Sequence, residues 1–168
     1  MARRRTLRPR LVALAPSAGT VVRDAGGWLF DRAMSGWDVT VLVADCADTR
    51  PLDILGVRVV DIEFGLTSAK PGARPQAVAV DAGLLTSDTR VHEGMLRLLD
   101  KSLAQEVTLW GTRWPGEFRA HAIPARHRLT AAARAFKSAA LTAACVPVRT
   151  DTVERFRRCE LSAGGDRG

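Results

Sequence analysis

Short apolar runs in this sequence are followed by small, hydroxylic or acidic side chains, which are residue types that bind nucleotides. Hydroxyls and free N–H groups at the start of a helix bind phosphate, a carboxylate accepts hydrogen bonds from ribose, and tryptophan stacks on a base. If the runs are parallel strands, their carboxyl ends lie at one edge of the sheet, where ligands bind in open α/β folds. The sequence therefore predicts a nucleotide- or sugar-phosphate-binding crevice formed by Ser17, Gly19, Thr20, Asp45, Asp81, Trp110, Gly111 and Thr112.

The phosphate-binding motifs of the large nucleotide-binding families are incomplete in this sequence. A dinucleotide fingerprint needs G-x-G-x-x-G directly after the first strand, but only Gly19 stands there, and the next glycines, Gly26 and Gly27, come later. There is no G-x-x-x-x-G-K-[ST] motif either. The alternative interpretation is that Ser17 and Thr20 cap a helix and that the two aspartates are polar strand ends. The sequence identifies no particular cofactor.

The residues that most often bind metals or act as nucleophiles form no recognisable set. Three histidines and three cysteines are scattered along the chain without metal-ligand or CxxC spacing. No G-x-S-x-G nucleophile motif is present. We therefore expect no metal site and no disulfide framework, and whether the protein is an enzyme stays open.

Positive charge is concentrated in two segments, residues 3–10 and 119–137, and the net charge of the chain is +7. Such clusters are typical of contact with nucleic acid or another polyanion; the alternative is a solvated tail and a solvated helix face. The residues predicted for polyanion contact are Arg3, Arg4, Arg5, Arg126, Arg128, Arg134 and Lys137. Between these segments, Trp110 and Trp114 flank Arg113 and predict either a stacking platform or a cover for the core.

The elements that must position these residues alternate between strands and helices. Apolar runs predict strands at 10–15, 38–44, 57–62, 77–81 and 106–110. Helical spacing predicts helices at 21–35, 91–103 and 124–144, with a short helix or turn at 51–56 and a short helix at 151–158. This alternation favours a single α/β domain, doubly wound like a Rossmann or flavodoxin fold, with a mainly parallel sheet of about five strands.

The predicted domain organisation is simple. Residues 1–10 form a basic flexible leader, 11–148 the α/β domain, and 149–168 a short helix and a disordered tail. No apolar run reaches the length of about 18 to 20 residues that a membrane span needs, and the leader lacks the apolar region of a signal peptide. We expect a cytoplasmic protein without a membrane partner, whose partner is a second copy, another protein or a nucleic acid.

One segment resembles a known family. Residues 25–45, AGGWLFDRAMSGWDVTVLVAD, resemble the amino-terminal βαβ unit of two-domain Rossmann-type glycosyltransferases, in which a glycine-rich turn leads into a helix and a Val-Thr-Val-Leu-like stretch forms the second strand. The resemblance implies a Rossmann-type fold and a glycosyltransferase-like half domain.

Three function hypotheses follow. The first is a binding or regulatory module without a catalytic set, the second is a small enzyme that binds a nucleotide or sugar phosphate, and the third is a nucleic-acid-contacting protein.

Overall fold

A computed structural model describes residues 7–68, 74–149 and 151–161. Its strands form one seven-stranded sheet in the order β3-β2-β1-β4-β5-β7-β6. The strands are β1 (Arg10–Ser17), β2 (Asp38–Asp45), β3 (Arg58–Asp61), β4 (Ala77–Asp81), β5 (Glu106–Trp110), β6 (Ala122–Arg128) and β7 (Val153–Cys159). The helices are α1 (Ala18–Met34), α2 (Arg50–Ile54), α3 (Ile62–Thr67), α4 (Ala82–Ser87), α5 (Thr89–Asp100), α6 (Gly116–Arg119) and α7 (Ala131–Ala143).

The first five strands form the parallel part of the sheet. β1 pairs in parallel with β2 and β4, while β3 and β5 extend the sheet on either side. The order β3-β2-β1-β4-β5 is that of a Rossmann sheet and not of a flavodoxin sheet, and it reverses between β1 and β4. The α/β class is confirmed, but the sheet has seven strands and is mixed, since β7 runs antiparallel to both β5 and β6.

The antiparallel strands lie where the sequence predicted helices. Residues 122–128 form β6 and not the first turns of the helix predicted at 124–144, which begins only at Ala131 after the N-cap Thr130. The helix predicted at 151–158 is β7. The physical reason is alternation: in β7, buried Glu154 and Phe156 are separated by exposed Arg155, which is the period of a strand. Segment 149–168 therefore contributes a strand to the sheet.

The core lies in two layers, one on each face of the sheet. On the first face, α1, α2 and α7 cover the strands through a cluster that includes Trp28, Leu29 and Leu141. On the second face, α3, α4, α5 and α6 contribute a cluster that includes Leu85, Met95 and Phe118. No helix within the described residues is long and apolar enough to cross a membrane.

Close packing joins α1 to the loop before α7. A Cβ atom added to Gly27 would lie 2.3 Å from Leu129 Cδ2, so no larger residue fits there without displacement. A Cβ atom added to the neighbouring Gly26 would lie 3.3 Å from Leu55 Cδ1, a tight contact that a small shift of Leu55 would relieve. The second glycine of this pair is therefore explained by packing within the domain and not by contact with a ligand.

The leader residues Arg3, Arg4 and Arg5 and the tail 162–168 lie outside the described residues. Residues 69–73 also lie outside them; they belong to the segment 68–75, whose two prolines and one glycine predict a loop.

Candidate functional site

The predicted crevice residues lie along the carboxyl edge of the parallel strands. Ser17 pairs with Asp45 at the ends of β1 and β2, and Asp81 pairs with Trp110 at the ends of β4 and β5. Gly19 and Thr20 follow in the first turn of α1, and Gly111 and Thr112 directly follow β5. This edge spans the point at which the strand order reverses.

Ser17, Thr20 and Asp45 at this edge make local hydrogen bonds with nearby residues. The Ser17 Oγ atom accepts a long bond of 3.5 Å from Thr20 N, and Thr20 Oγ1 donates to Ser17 O at 3.0 Å. Asp45 Oδ1 accepts from Ala47 N at 2.9 Å. These contacts correspond to the capping interpretation of the sequence, so a ligand at these groups would have to compete with the backbone.

Asp81 and Trp110 bond to each other beneath this edge. Trp110 Nε1 donates to Asp81 Oδ2 at 2.9 Å, and Gly83 N donates to Asp81 Oδ1 at 2.7 Å. Burial raises the pKa of Asp81 above its ordinary value, although these two bonds work against the rise. Trp110 is 0% exposed, so its indole offers no ring face for stacking on a base.

A crevice of about 820 Å³ opens beside the carboxyl edge between α1 and the start of β7, and we call it the carboxyl-edge crevice. Of the predicted crevice residues, only Gly111 and Thr112 line it. Its charges are largely paired, because Arg23 contacts Asp24 at 3.1 Å and Lys137 contacts Glu154 at 2.5 Å.

A second cavity of about 890 Å³ lies on the other side of Gly111 and Thr112, and we call it the arginine cleft. Its lining residues in the described part of the chain include four arginines and no acidic residue. The two cavities share Gly111, Thr112 and Arg155. The full lining of the arginine cleft is Gly111, Thr112, Trp114, Arg119, Pro124, Ala125, Arg126, Arg155, Phe156 and Arg157.

Strand register brings three of these arginines together. Arg126 of β6 is paired directly opposite Arg155 of β7, and Arg157 is paired with Pro124 one step further along the same face. Like charges opposite each other destabilise a strand pair. Among the described residues, no carboxylate forms an ion pair with Arg126, Arg155 or Arg157. A local conflict of this kind is typical of a functional site.

The aromatic residues predicted as a stacking pair separate in the structure. Trp114 lines the arginine cleft and is only partly buried, whereas Trp110 lies wholly in the core. Arg113, between them, is exposed and does not line the cleft. One aromatic wall of the cleft is therefore available to a ligand.

The residues predicted for polyanion contact do not form one surface. Arg126 lines the arginine cleft, and Arg128 and Arg134 are exposed on β6 and α7. Lys137 is not available at the surface to a polyanion, because its side chain is buried (5% exposed) and its ammonium group contacts Glu154.

The candidate site residues that the sequence analysis missed are Arg119, Arg155 and Arg157. The signal for Arg155 and Arg157 was the period-two alternation of Val153–Cys159, which a helix interpretation obscured. Arg119, at the end of α6, is not part of that pattern. Within the described ranges, no group of three or more histidine, cysteine, aspartate and glutamate residues could hold a metal ion.

Comparison with known proteins gives matches only among solved structures: no family model and no curated protein matches the chain. A deacetylase–teicoplanin complex superposes with a TM-score of 0.64 at 12% identity, covering 89% of this chain and 97% of the other. The A40926 pseudoaglycone deacetylase gives a TM-score of 0.59 at 16% identity, covering 81% of each chain. The 4-carboxy-2-hydroxymuconate hydratase of Pseudomonas putida gives 0.56 at 11% identity, covering 90% and 95%.

These neighbours correct the family expected from residues 25–45. They are deacetylases and a hydratase, and not glycosyltransferases, so the glycosyltransferase resemblance is wrong. The resembling segment consists of the second half of α1, the following turn and β2, which many α/β folds share. At identities of 11% to 16%, the likeness shows the fold alone.

Proposed function

We propose that this protein is a binding module for a phosphate-bearing small molecule, such as a nucleotide or sugar phosphate, held in the arginine cleft. The observation that carries the proposal is the placement of Arg126 opposite Arg155, with Arg157 on the same face and no acidic residue in the described lining. A bound anion would relieve the repulsion between these guanidinium groups and use the donors that they present.

Arginine suits phosphate because of its geometry as well as its charge. The planar guanidinium group presents paired N–H donors that match two oxygens of a phosphate. Arg126, Arg155 and Arg157 are exposed and form no ion pair with a described carboxylate, so binding does not require an internal ion pair to break. The volume of about 890 Å³ also lies within the range of roughly 300 to 1,000 Å³ that is typical of small-molecule sites.

The remaining walls favour an organic phosphate over inorganic phosphate alone. Trp114 contributes a partly exposed indole that can contact a base or a sugar ring. Gly111 has a φ of +101°, a left-handed conformation that favours glycine, and it brings the backbone before Thr112 to the rim.

The polar groups at the carboxyl edge favour a binding role over a catalytic one. Ser17 and Asp81 cap α1 and α4, and Asp45 accepts from Ala47 N in the loop after β2. The names of the structural neighbours describe enzymes, but this chain resembles them in fold at low identity. We therefore base the proposal on the arginine cleft of this chain.

A ligand screen by thermal shift tests the proposal. Wild-type protein is heated with inorganic phosphate, nucleoside mono-, di- and triphosphates, and sugar phosphates at low ionic strength. We expect an organic phosphate to raise the melting temperature of wild-type protein and of Arg97→Ala, an exposed arginine on α5, but not of Arg155→Ala. Failure of every phosphate to stabilise the wild type, or equal stabilisation of Arg155→Ala, would overturn the proposal.

Salt dependence separates a small ligand from a polynucleotide. A polynucleotide that contacts many phosphates loses affinity steeply with salt, with a slope of about −0.7 to −0.9 per contact. A ligand with one or two phosphates gives a shallow slope. Tight binding of single-stranded nucleic acid with a steep slope, in the absence of nucleotide binding, would replace this proposal with the nucleic-acid hypothesis.

A further inference from the structure

The second face of the sheet carries an apolar cavity of about 750 Å³ between α3 and α5, which we call the apolar groove. Its floor consists of side chains in two adjacent rows of the parallel strands. In the first row, Val12 is paired with Thr40 and Val78; in the second, Leu14 is paired with Leu42. The groove thus lies over β2, β1 and β4. The arginine cleft lies at β7 and β6, which are separated from these strands by β5.

This location is unusual because central parallel strands are normally covered on both faces. Here Val12 and Thr40 keep part of their surface exposed, although β1 lies between β2 and β4. Phe64 of α3, which lines the groove, is 66% exposed. The helices on this face therefore leave apolar surface open above the middle of the sheet.

A glycine on α5 widens the groove. Val91, Met95 and Leu98 line it at helical spacing, and Gly94 stands among them. A Cβ atom added to Gly94 would meet no heavy atom within 4 Å. By contrast, a Cβ atom on Gly65 of α3 would lie 2.6 Å from Leu42 Cδ2. The α3 side is closely packed, whereas the α5 side leaves room for an occupant.

The charged side chains in the described lining of the groove are all arginines, namely Arg10, Arg58 and Arg90. Arg90 is already bound to Glu63 and Asp88, whereas Arg58 forms no ion pair with any described residue. Arg58 is paired with Thr40 and lies two residues before Val60, so both side chains are on the groove face of β3. As the first residue of β3, Arg58 lies at the amino end of the groove floor.

From this arrangement we infer that the apolar groove binds a single-chain anionic amphiphile, namely a fatty acyl carboxylate. Its hydrocarbon chain lies over Val12, Leu14 and Leu42, and its carboxylate is held by Arg58. An aliphatic floor with one unpaired guanidinium group at its end is complementary to a ligand of this chemistry. The inference does not depend on the proposed function of the arginine cleft.

Fluorescence-displacement titrations with saturated fatty acids of eight to twelve carbons, kept below their micelle concentrations, test the inference. Each added methylene should tighten binding about three- to fourfold while the chain still fits. Gly94→Leu, which places a side chain in the open space, should weaken binding at least about tenfold. Arg97→Gln, at an exposed position on the same helix that does not line the groove, is the matched control, and circular dichroism confirms that each variant is folded.

The head-group contact has its own test. Arg58→Gln should remove the preference for a carboxylate over the alcohol of equal length, an expected change of about tenfold, while leaving alcohol binding unchanged. Arg155→Ala should bind fatty acids like the wild type, which separates this result from the arginine cleft.

Three results of these titrations would overturn the inference. They are absence of fatty-acid binding by wild-type protein, binding unaffected by Gly94→Leu, and equal affinity for acid and alcohol. If sedimentation shows a dimer that Gly94→Leu dissociates, the groove is occupied by a second copy of the chain and the inference is likewise wrong.

Discussion

Lys137 Nζ lies 2.5 Å from Glu154 Oε2 in an ion pair whose side chains are only 6% and 3% exposed. Both partners also bind the middle of α1: Glu154 accepts from Gly27 N at 2.9 Å and from Trp28 N at 2.6 Å, and Lys137 donates to Arg23 O at 2.9 Å. Burial raises the pKa of Glu154, while Lys137 and the two N–H groups counteract the rise. The pair therefore joins α1, α7 and β7.

Replacing Lys137 with methionine should destabilise the protein strongly. The variant leaves Glu154 buried without its cation, and breaking a buried pair in this way costs about 3 to 5 kcal/mol. Urea unfolding measures the change, with Arg134→Met on the same helix as a control that should shift stability by no more than about 0.5 kcal/mol. If the two variants unfold at the same urea concentration, the ion pair does not have the structural role assigned to it.

Two Gly→Ala substitutions in helices should change the stability of the protein in opposite directions. Gly27→Ala introduces a Cβ atom 2.3 Å from Leu129 Cδ2, and overpacking of this kind costs about 1 to 3 kcal/mol. Gly94→Ala meets nothing within 4 Å and should stabilise α5 by up to about 1 kcal/mol, since alanine has the higher helix propensity. Thermal unfolding measures both, and a stable Gly27→Ala variant would contradict the close approach of α1 to Leu129.

Asp81 and Asp88 should make opposite contributions to the pH dependence of stability. Burial raises the pKa of Asp81, so its contribution is fully present below the unfolded pKa of about 4 and is lost as the pH rises through the folded pKa. The bond from Arg90 lowers the pKa of Asp88, so its contribution is present above about 4 and is lost as the pH falls through the folded pKa.

Asp→Asn variants test these signs. The free energy of unfolding of the wild type minus that of Asp81→Asn should decrease as the pH rises from about 4, whereas the same difference for Asp88→Asn should increase over the acidic range. Asp81 uses a different oxygen for each bond, so asparagine keeps an acceptor for either Gly83 N or Trp110 Nε1 but not for both. That loss lowers stability at every pH, and the test therefore rests on the slope with pH. If both differences change in the same direction with pH, the opposite pKa shifts assigned to Asp81 and Asp88 are wrong.

Thiol labelling tests the position of β7 in the sheet. Cys159 is 3% exposed, and burial raises its pKa to about 11, whereas Cys46 and Cys145 are exposed. Because the thiolate is the reactive form, Cys159 should be alkylated more than about tenfold more slowly than Cys145 in folded protein and at a similar rate in urea. Peptide mapping by mass spectrometry gives the rates, and rapid alkylation of Cys159 in the folded protein would place β7 outside the sheet.

The parallel strands could be predicted from sequence because each is a short apolar run that becomes buried. The predicted strands 77–81 and 106–110 have the bounds of β4 and β5. β6 was missed because Pro124 precedes an alanine-rich segment and suits a first helical turn; as an edge strand, β6 also tolerates proline. β7 was missed because its alternating pattern is short and contains three arginines.

The candidate site was less predictable than the fold. The sequence indicates that Ser17, Asp45 and Asp81 follow strands, but their occupation by backbone N–H groups depends on local geometry. The arginine cleft depends on the register that places Arg126 opposite Arg155. Such long-range pairing has no local sequence signal, and both segments were predicted to be helical.

The most direct test of the central claim is a calorimetric titration of the best organic phosphate from the screen into wild-type protein, Arg155→Ala and Arg97→Ala. Loss of one charged hydrogen-bonding group costs about 1.5 to 3 kcal/mol. The Kd of Arg155→Ala should therefore rise at least about tenfold, while Arg97→Ala binds like the wild type. Equal Kd values for all three proteins would show that the phosphate binds elsewhere and would contradict the arginine cleft as the ligand site.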